Sequence, residues 1–309
     1  MSDRSEMLFY MYYKQWVKLY KKNAVRDITY LKYIQTYKHI LMLKPQLRLC
    51  DLTRREYQEM LNSYAENHEK QTTLDFHHQV KAAILDALEE GLIQVDPTRR
   101  VVIKGTVTHH HKIKFLNQQQ LTKLLAQLQL GDSISWDYFI LLISKTGLRF
   151  SEALGLTPAD FDLTRLTLNV SKTCSYKDFP GSFAPTKNTA SIRKLPLDWQ
   201  TAMQFAQLVK DLPSDQPIFV SAGKKIYNTT VNDKLERYCK SAGIPAISVH
   251  GLRHTHASLL LYAGVSIGSV ARRLGHSNMD TTQRTYLHVI QELENQDTDK
   301  IMRYLTTLM

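Results

Sequence analysis

Between Ser248 and Val289 the chain reads SVHGLRHTHASLLLYAGVSIGSVARRLGHSNMDTTQRTYLHV, and this stretch holds cationic and nucleophilic side chains at spacings that let them act together. His250 and Arg253 stand three apart, which puts two side chains on one face of a helix. Gly275 and His276 follow a second helical run, and Tyr286 comes ten residues after His276. A further cation, Arg149, sits well upstream in TGLR. Basic groups converging on one point suit a phosphate, and a tyrosine hydroxyl beside them suits covalent attack on it. Guanidinium stays charged and offers paired N–H donors to non-bridging oxygens. Imidazole donates or accepts a proton near neutral pH. Each residue alone also has a plain reading: an arginine in a surface ion pair, a histidine capping or packed, a tyrosine packed among 16 in the chain. The set, in this order, carries the argument.

Bringing Arg149 to the same point requires a particular scaffold. A helix from Ser135 through Trp136, Phe139, Leu142 and Ile143 runs into TGLR, and a short one from Phe150 to Gly155 follows it, ending before Pro158. Residues 166–172 and 191–197 alternate apolar and polar and predict strands, joined by a long loop from Thr173 to Ala190. Residues 198–245 are helical with an interruption at PSDQPIFVSAGKK, and Ile301, Met302, Leu305 and Leu308 mark an amphipathic last helix. Residues 1–104 read as all helical. Phe9, Tyr13, Trp16, Val17 and Tyr20 form one stripe; Leu31, Ile34, Tyr37, His39 and Ile40 follow in a helix opening at Thr29 and ending before Pro45. Thr53, with Glu56 three residues on, caps a third helix carrying Tyr57, Met60, Leu61 and Tyr64. Thr72 or Thr73 is placed to cap a fourth, with Phe76, Val80, Ala83, Ile84, Ala87 and Leu88 inward and Gly91 ending it.

The motifs TGLRFSEALGL, HGLRHTHAS, LGHS and TTQRTYLHV make the chain resemble the tyrosine recombinase (phage integrase) family, closely over 116–309. The resemblance implies a mainly α fold with a small antiparallel β-sheet. It also implies two domains: a helical core-binding DNA-binding domain over 1–104 and, after a basic linker at 105–115, a catalytic domain with a C-terminal helix over 116–309. The implied catalytic set is Arg149, Lys187, His250, Arg253, His276 and Tyr286. The family's lysine stands on a β-hairpin, which PTKNTASIRKLPL resembles; Lys187 is taken for it, Lys172 is the second choice, and Lys194 sits within a strand. His254 and His256 fall outside the matched positions and read as structural, and Glu152 as pairing within its own domain.

The implied activity is site-specific DNA recombination through a 3′-phosphotyrosine intermediate, with Tyr286 as nucleophile and Lys187 protonating the departing 5′-hydroxyl. The covalent link conserves bond energy, so no ATP is needed, and no metal or other cofactor is expected. The partners implied are double-stranded DNA, further protomers in a tetramer that exchange C-terminal helices, and accessory bending or excision factors. The chain starts almost at its first helix, so no arm-site domain is expected. A hairpin longer than the compact form of chromosome-resolving members points to integrases of phages and mobile elements.

Composition agrees with a nucleic-acid partner: 40 basic against 29 acidic residues give a formal net charge of +11, spread over both halves. Cys50, Cys174 and Cys239 form no C-x-x-C pair and read as reduced thiols. No long apolar run or signal-like start is seen, so a soluble cytoplasmic protein is expected, away from membranes. His109, His110 and His111 are adjacent and cannot readily converge on one ion, so 97–115 reads as a backbone-hugging basic segment. Two rivals stand beside this reading. AGVSIGSVARRLGHS has the shape of a helix-turn-helix, in which Arg272 and Arg273 would face a groove and Tyr286 and Arg149 would be unnecessary. A type IB topoisomerase shares the active-site chemistry but exchanges no partners.

Overall fold

The computed structural model describes residues 6–106, 115–175, 182–220, 226–286, 289 and 305–306. His109, His110 and His111, and the last helix except Leu305 and Thr306, lie outside them. The chain divides into two compact units, Met1–His111 and Lys112–Met309.

The first unit is four helices, α1 (Phe9–Tyr20), α2 (Asp27–Leu43), α3 (Arg54–Ala65) and α4 (Lys70–Glu89). Phe9, Tyr13, Trp16 and Val17 of α1 pack with Ile40, Tyr57, Met60, Leu61, Phe76, Val80 and Ile84. The Thr53 hydroxyl accepts from Glu56 N at 3.2 Å, while the Glu56 carboxylate takes Lys44 at 2.7 Å instead of closing a capping box. Two expectations fail here. Leu31 is 60% exposed, because the inward stripe of α2 runs through Tyr33, Thr36 and Ile40, and Leu31 stands off it. Neither Thr72 nor Thr73 caps α4: the helix begins at Lys70, and the Thr73 hydroxyl donates to Glu69 O within it. Residues 100–106 return against the unit, with the side-chain amide of Gln58 donating through Nε2 to Val102 O and accepting through Oε1 from Val102 N, and Thr106 N donating to His68 O. The first residues of the 105–115 segment are thus held to the helical unit.

The second unit packs helices α5 (Gln118–Leu125), α6 (Trp136–Thr146), α7 (Phe150–Leu154), α8 (Trp199–Val209), α9 (Asn228–Ser241), α10 (Val249–Tyr262), α11 (Ile267–Leu274) and α12 (Met279–Thr285) around small sheets. Strands β1 (Phe161–Asp162), β2 (Thr167–Val170) and β5 (Arg193–Pro196) form one antiparallel sheet in the order β1-β2-β5, with Leu168 opposite Leu195. β3 (Lys172–Ser175) and β4 (Ser182–Pro185) form a separate antiparallel pair. That pair occupies the segment read as a loop between Thr173 and Ala190. The fold is mainly α with small antiparallel sheets.

α6 is the axis of this core. Tyr138, Phe139, Ile140, Leu141, Leu142 and Ile143 are all buried, so the helix is apolar all round. The Phe139 ring meets Phe150 and Phe219 edge-on at 5.2 and 5.0 Å. Gly147 ends α6 with a left-handed φ of 68°, and a Cβ there would come within 2.7 Å of the His256 ring. That turn sends the chain into Leu148 and Arg149. Replacing Phe139→Ala is expected to destabilise this unit by about 3–5 kcal/mol; urea denaturation followed by tyrosine and tryptophan fluorescence checks it.

Candidate active site

Arg149 is the N-cap residue of α7, where its extended backbone turns the side chain back over the first helical turn. Its backbone N donates to Glu152 Oε2 at 3.0 Å, and its Nη1 donates to Glu152 Oε1 at 2.5 Å. Glu152 is 1% exposed and also accepts from Arg193 Nη2 at 3.1 Å. Burial pushes this carboxyl up, but Arg193, then Arg149, outweigh it and hold it below the usual carboxylate range. Glu152 therefore pairs within its own unit, in keeping with the sequence reading. The other arm of Arg149 reaches Gly275 O at 2.9 Å, and Nη1 also meets Ser191 Oγ at 3.1 Å. Arg193 donates to Arg273 O and Ser191 O, which ties β5 to the end of α11.

Arg253, on α10, is 3% exposed. It donates to Gly147 O at 2.6 Å, to Leu274 O at 2.8 Å and to His276 Nε2 at 3.1 Å. Those acceptors are neutral, and among the described residues Arg253 makes no ion pair. Burial, then the like charge of Arg149, push its guanidinium down to about 9. Because an arginine only donates, His276 Nε2 must be bare and its Nδ1 must carry the proton, donating to Thr282 Oγ1 at 2.7 Å. Burial, then Arg253 and Arg149, hold His276 down at about 4. Gly275, which precedes it, caps α11 at φ 69°; a Cβ there would meet Arg193 Nη1 at 2.9 Å.

Tyr286 ends α12 and is 2% exposed, against Ala257, Leu261, Val270, Leu274 and Val289. Burial raises its phenol to about 12, partly offset by Arg253. Its hydroxyl lies 2.9 Å from Nδ1 of His254. His254 in turn meets the His250 ring edge-on, with centroids 4.6 Å apart. His250 stands in the first turn of α10, capped by Ser248, whose hydroxyl accepts from Gly251 N. Desolvation, then Arg253 and Arg149, hold His250 below its ordinary pKa.

Arg149, His250, Arg253, His276 and Tyr286 thus meet through direct contacts or one shared neighbour. Lys187 is exposed in the turn between β4 and β5. That turn is anchored to the cluster: Asn188 Oδ1 accepts from Ser191 N and Oγ, and Ser191 Oγ accepts from Arg149. Lys172 is engaged elsewhere, in an ion pair with Asp160 and a 3.3 Å bond to Thr157 Oγ1. Two residues missed by sequence reasoning enter the site. Arg193 looks like a solvent-facing strand residue, yet it is the second partner of Glu152. His254 looks structural, yet it touches the Tyr286 hydroxyl; only its adjacency to Arg253 on α10 hinted at this. His256, by contrast, is structural. Its Nδ1 donates to Ser144 O, its Nε2 accepts from Arg273 Nε, and burial keeps it neutral down to about 3. Arg273 also donates to Lys145 O and Pro196 O, so it binds its own unit, while Arg272, the other arginine of the helix-turn-helix reading, is exposed.

No cluster of three or more histidine, cysteine or acidic groups able to hold a metal occurs among the described residues. Two predictions follow from this geometry. In a ¹⁵N–¹H correlation spectrum at pH 6, His256 and His276 should both be neutral Nδ1–H tautomers, because their folded values of about 3 and about 4 lie well below that pH. Glu152→Gln leaves two guanidiniums without their buried counter-charge, and is expected to cost about 3–5 kcal/mol in urea denaturation.

The model of the phage integrase family matches residues 114–292, more than half of the chain. The chain is 26% identical over 228 residues to the ICEBs1 integrase of Bacillus subtilis, covering 70% of this chain and 61% of that one. It is 31% identical over 205 residues to tyrosine recombinase XerC of Thermodesulfovibrio yellowstonii, covering 65% of each. It spans less than two thirds of these relatives' length. Its fold is that of the Tn1549 transposon integrase solved with transposon right end DNA, at a TM-score of 0.74 and 19% identity over 94% of this chain and 99% of that one. A lambda integrase dimer bound to a COC′ core site matches at a TM-score of 0.64 and 17% identity, over 88% of this chain and 96% of that one. The chain belongs to the phage integrase family.

Proposed function

We propose that this protein is a site-specific DNA recombinase that cleaves and rejoins strands through a 3′-phosphotyrosine at Tyr286. One observation carries the reading: Arg253 is a buried guanidinium with neutral partners only, set beside Arg149, His276 and a tyrosine hydroxyl. A buried cation without a counter-charge is costly unless an anion completes the site. Three guanidiniums, Arg149, Arg193 and Arg253, face one carboxylate, Glu152. That surplus suits a phosphodiester, whose charge grows as the fifth oxygen attacks. Arg149 and Arg253 bind the non-bridging oxygens, and His276 joins them once the phosphate's charge lets its Nε2 take a proton. Tyr286 Oη forms the bond to phosphorus as the bond to the 5′-oxygen breaks.

Lys187 delivers the proton to that 5′-oxygen. The anchored turn that carries it, and the engagement of Lys172 with Asp160, support this choice. Double-stranded DNA is the substrate, and further copies of the chain act with it in a tetramer on paired sites, exchanging C-terminal helices, with accessory bending or excision factors. The family match favours this reading over a topoisomerase. Among the described residues no helix is long and apolar enough to cross a membrane; action on DNA supports a cytoplasmic location.

A nicked duplex carrying the end sequence of the encoding DNA element, incubated in EDTA and run on a denaturing gel, tests this. Wild type should give a covalent band that Tyr286→Phe loses; tight binding by both with no band would return the helix-turn-helix regulator. Lys187→Ala should slow cleavage by about 10²–10⁴-fold, and a 5′-bridging phosphorothiolate, whose leaving group needs no acid, should restore the rate. Sulfur rescue of Lys172→Ala in its place would move the acid to Lys172.

A further inference from the structure

We infer that His254 is the general base that accepts the Tyr286 phenol proton during cleavage and returns it during rejoining. The inference rests on the strand-transfer reading above and goes beyond it, since the family's matched positions give His254 no part.

Among the described residues the phenol's hydrogen-bond partner is Nδ1 of His254, at 2.9 Å. The rings are also placed for transfer, centroids 5.7 Å apart and inclined at 62°, so that the imidazole edge addresses the hydroxyl. His254 is half-buried on rigid α10, four residues after His250 and one after Arg253. It is the matched His250 that stands one ring further from the nucleophile, stacked edge-on against His254. Among the described residues, Arg253 on its own helix, His276 at the end of α11 and the next ring along, His250, are charged or titratable groups near it.

The step balances. Tyr286 Oη bonds to phosphorus, its proton passes to His254 Nδ1, and the 5′-oxygen leaves with a proton from the lysine. In rejoining, the 5′-hydroxyl attacks phosphorus and gives its proton back to the lysine, and His254 returns its proton to the departing Tyr286 oxygen. The burial that raises the phenol is what makes such an acceptor necessary: no solvent base reaches a side chain that is 2% exposed.

The test uses His254→Asn, whose amide keeps a hydrogen-bonding atom near the Nδ1 position without basicity, and His254→Phe, which keeps the ring. Full-length proteins are compared on the nicked duplex under single turnover, after DNA binding and thermal melting show that each is folded. His254→Asn should form the covalent band about 10²–10⁴-fold more slowly than wild type with unchanged DNA affinity. A fluorinated tyrosine at position 286, with a lower phenol pKa, should then narrow that deficit, because an acidified nucleophile needs less help. A merely structural His254 would leave the ratio unchanged on fluorination. Wild-type rates in His254→Asn, or a deficit that fluorination does not narrow, overturn the inference. Absence of a band from wild type itself overturns the strand-transfer reading instead.

Discussion

Removing two guanidiniums and a carboxylate from water is tolerable only if they leave it together, and Glu152 sets the terms on which that happens. Each carboxylate oxygen takes an arginine, Arg149 from the start of α7 and Arg193 from β5, and the Arg149 backbone N–H adds a third bond. The free donors of the same two arginines then hold Gly275 O, Arg273 O and Ser191. Three segments distant in sequence, the TGLR turn, the approach to β5 and the end of α11, are thereby fixed on one ionic centre. With neutral hydrogen bonds alone the like charges of Arg149, Arg193 and Arg253 would drive these segments apart. With a second carboxylate the surplus would fall to one positive charge and the pull on a phosphate would weaken. One anion to three cations both closes the fold and leaves it wanting a ligand.

The glycines of TGLR and LGHS serve the same end. Gly147 and Gly275 end α6 and α11 in the left-handed conformation, and the carbonyls they present accept from Arg253 and Arg149 respectively. A side chain at Gly147 would strike His256, and one at Gly275 would strike Arg193 and Ser191. Helix ends commonly leave carbonyls without partners; here those of two helices become the seats of two arginines. That is why each motif joins a glycine to a functional residue by one or two positions.

Much of this was legible in the sequence, and what was not has a physical cause. The buried stripes of α1, α3 and α4 follow helical periodicity, and β2 and β5 alternate as strands paired across one face do. The pair β3–β4 was invisible because KTCS and SFAP are short, half-exposed and without apolar alternation. Leu31 misled because an apolar residue need not lie on the buried stripe of its helix. Arg149, His250, Arg253, His276 and Tyr286 could be picked out by type and order. Arg193 and His254 could not, since their partners come from elsewhere in the chain: Glu152, 41 residues upstream on α7, and Tyr286 at the far end of α12. A residue whose role is created by tertiary contact leaves no local period to read.

On the proposed strand-transfer reading, the site also limits how Tyr286 is activated. With the phenol near 12, forming the phenolate beforehand at pH 7 costs about 7 kcal/mol, at 1.36 kcal/mol per unit. Arg253 lowers that cost but does not cancel it, because burial dominates. A preformed phenolate would moreover compete with the phosphate for the same guanidinium, weakening the contact that stabilises the transition state. Losing the proton as the bond to phosphorus forms avoids both penalties. The negative charge then never rests on the tyrosine oxygen; it moves directly onto the phosphate oxygens that Arg149 and Arg253 bind. In the proposed step the cations serve the phosphate, and His254 serves the tyrosine.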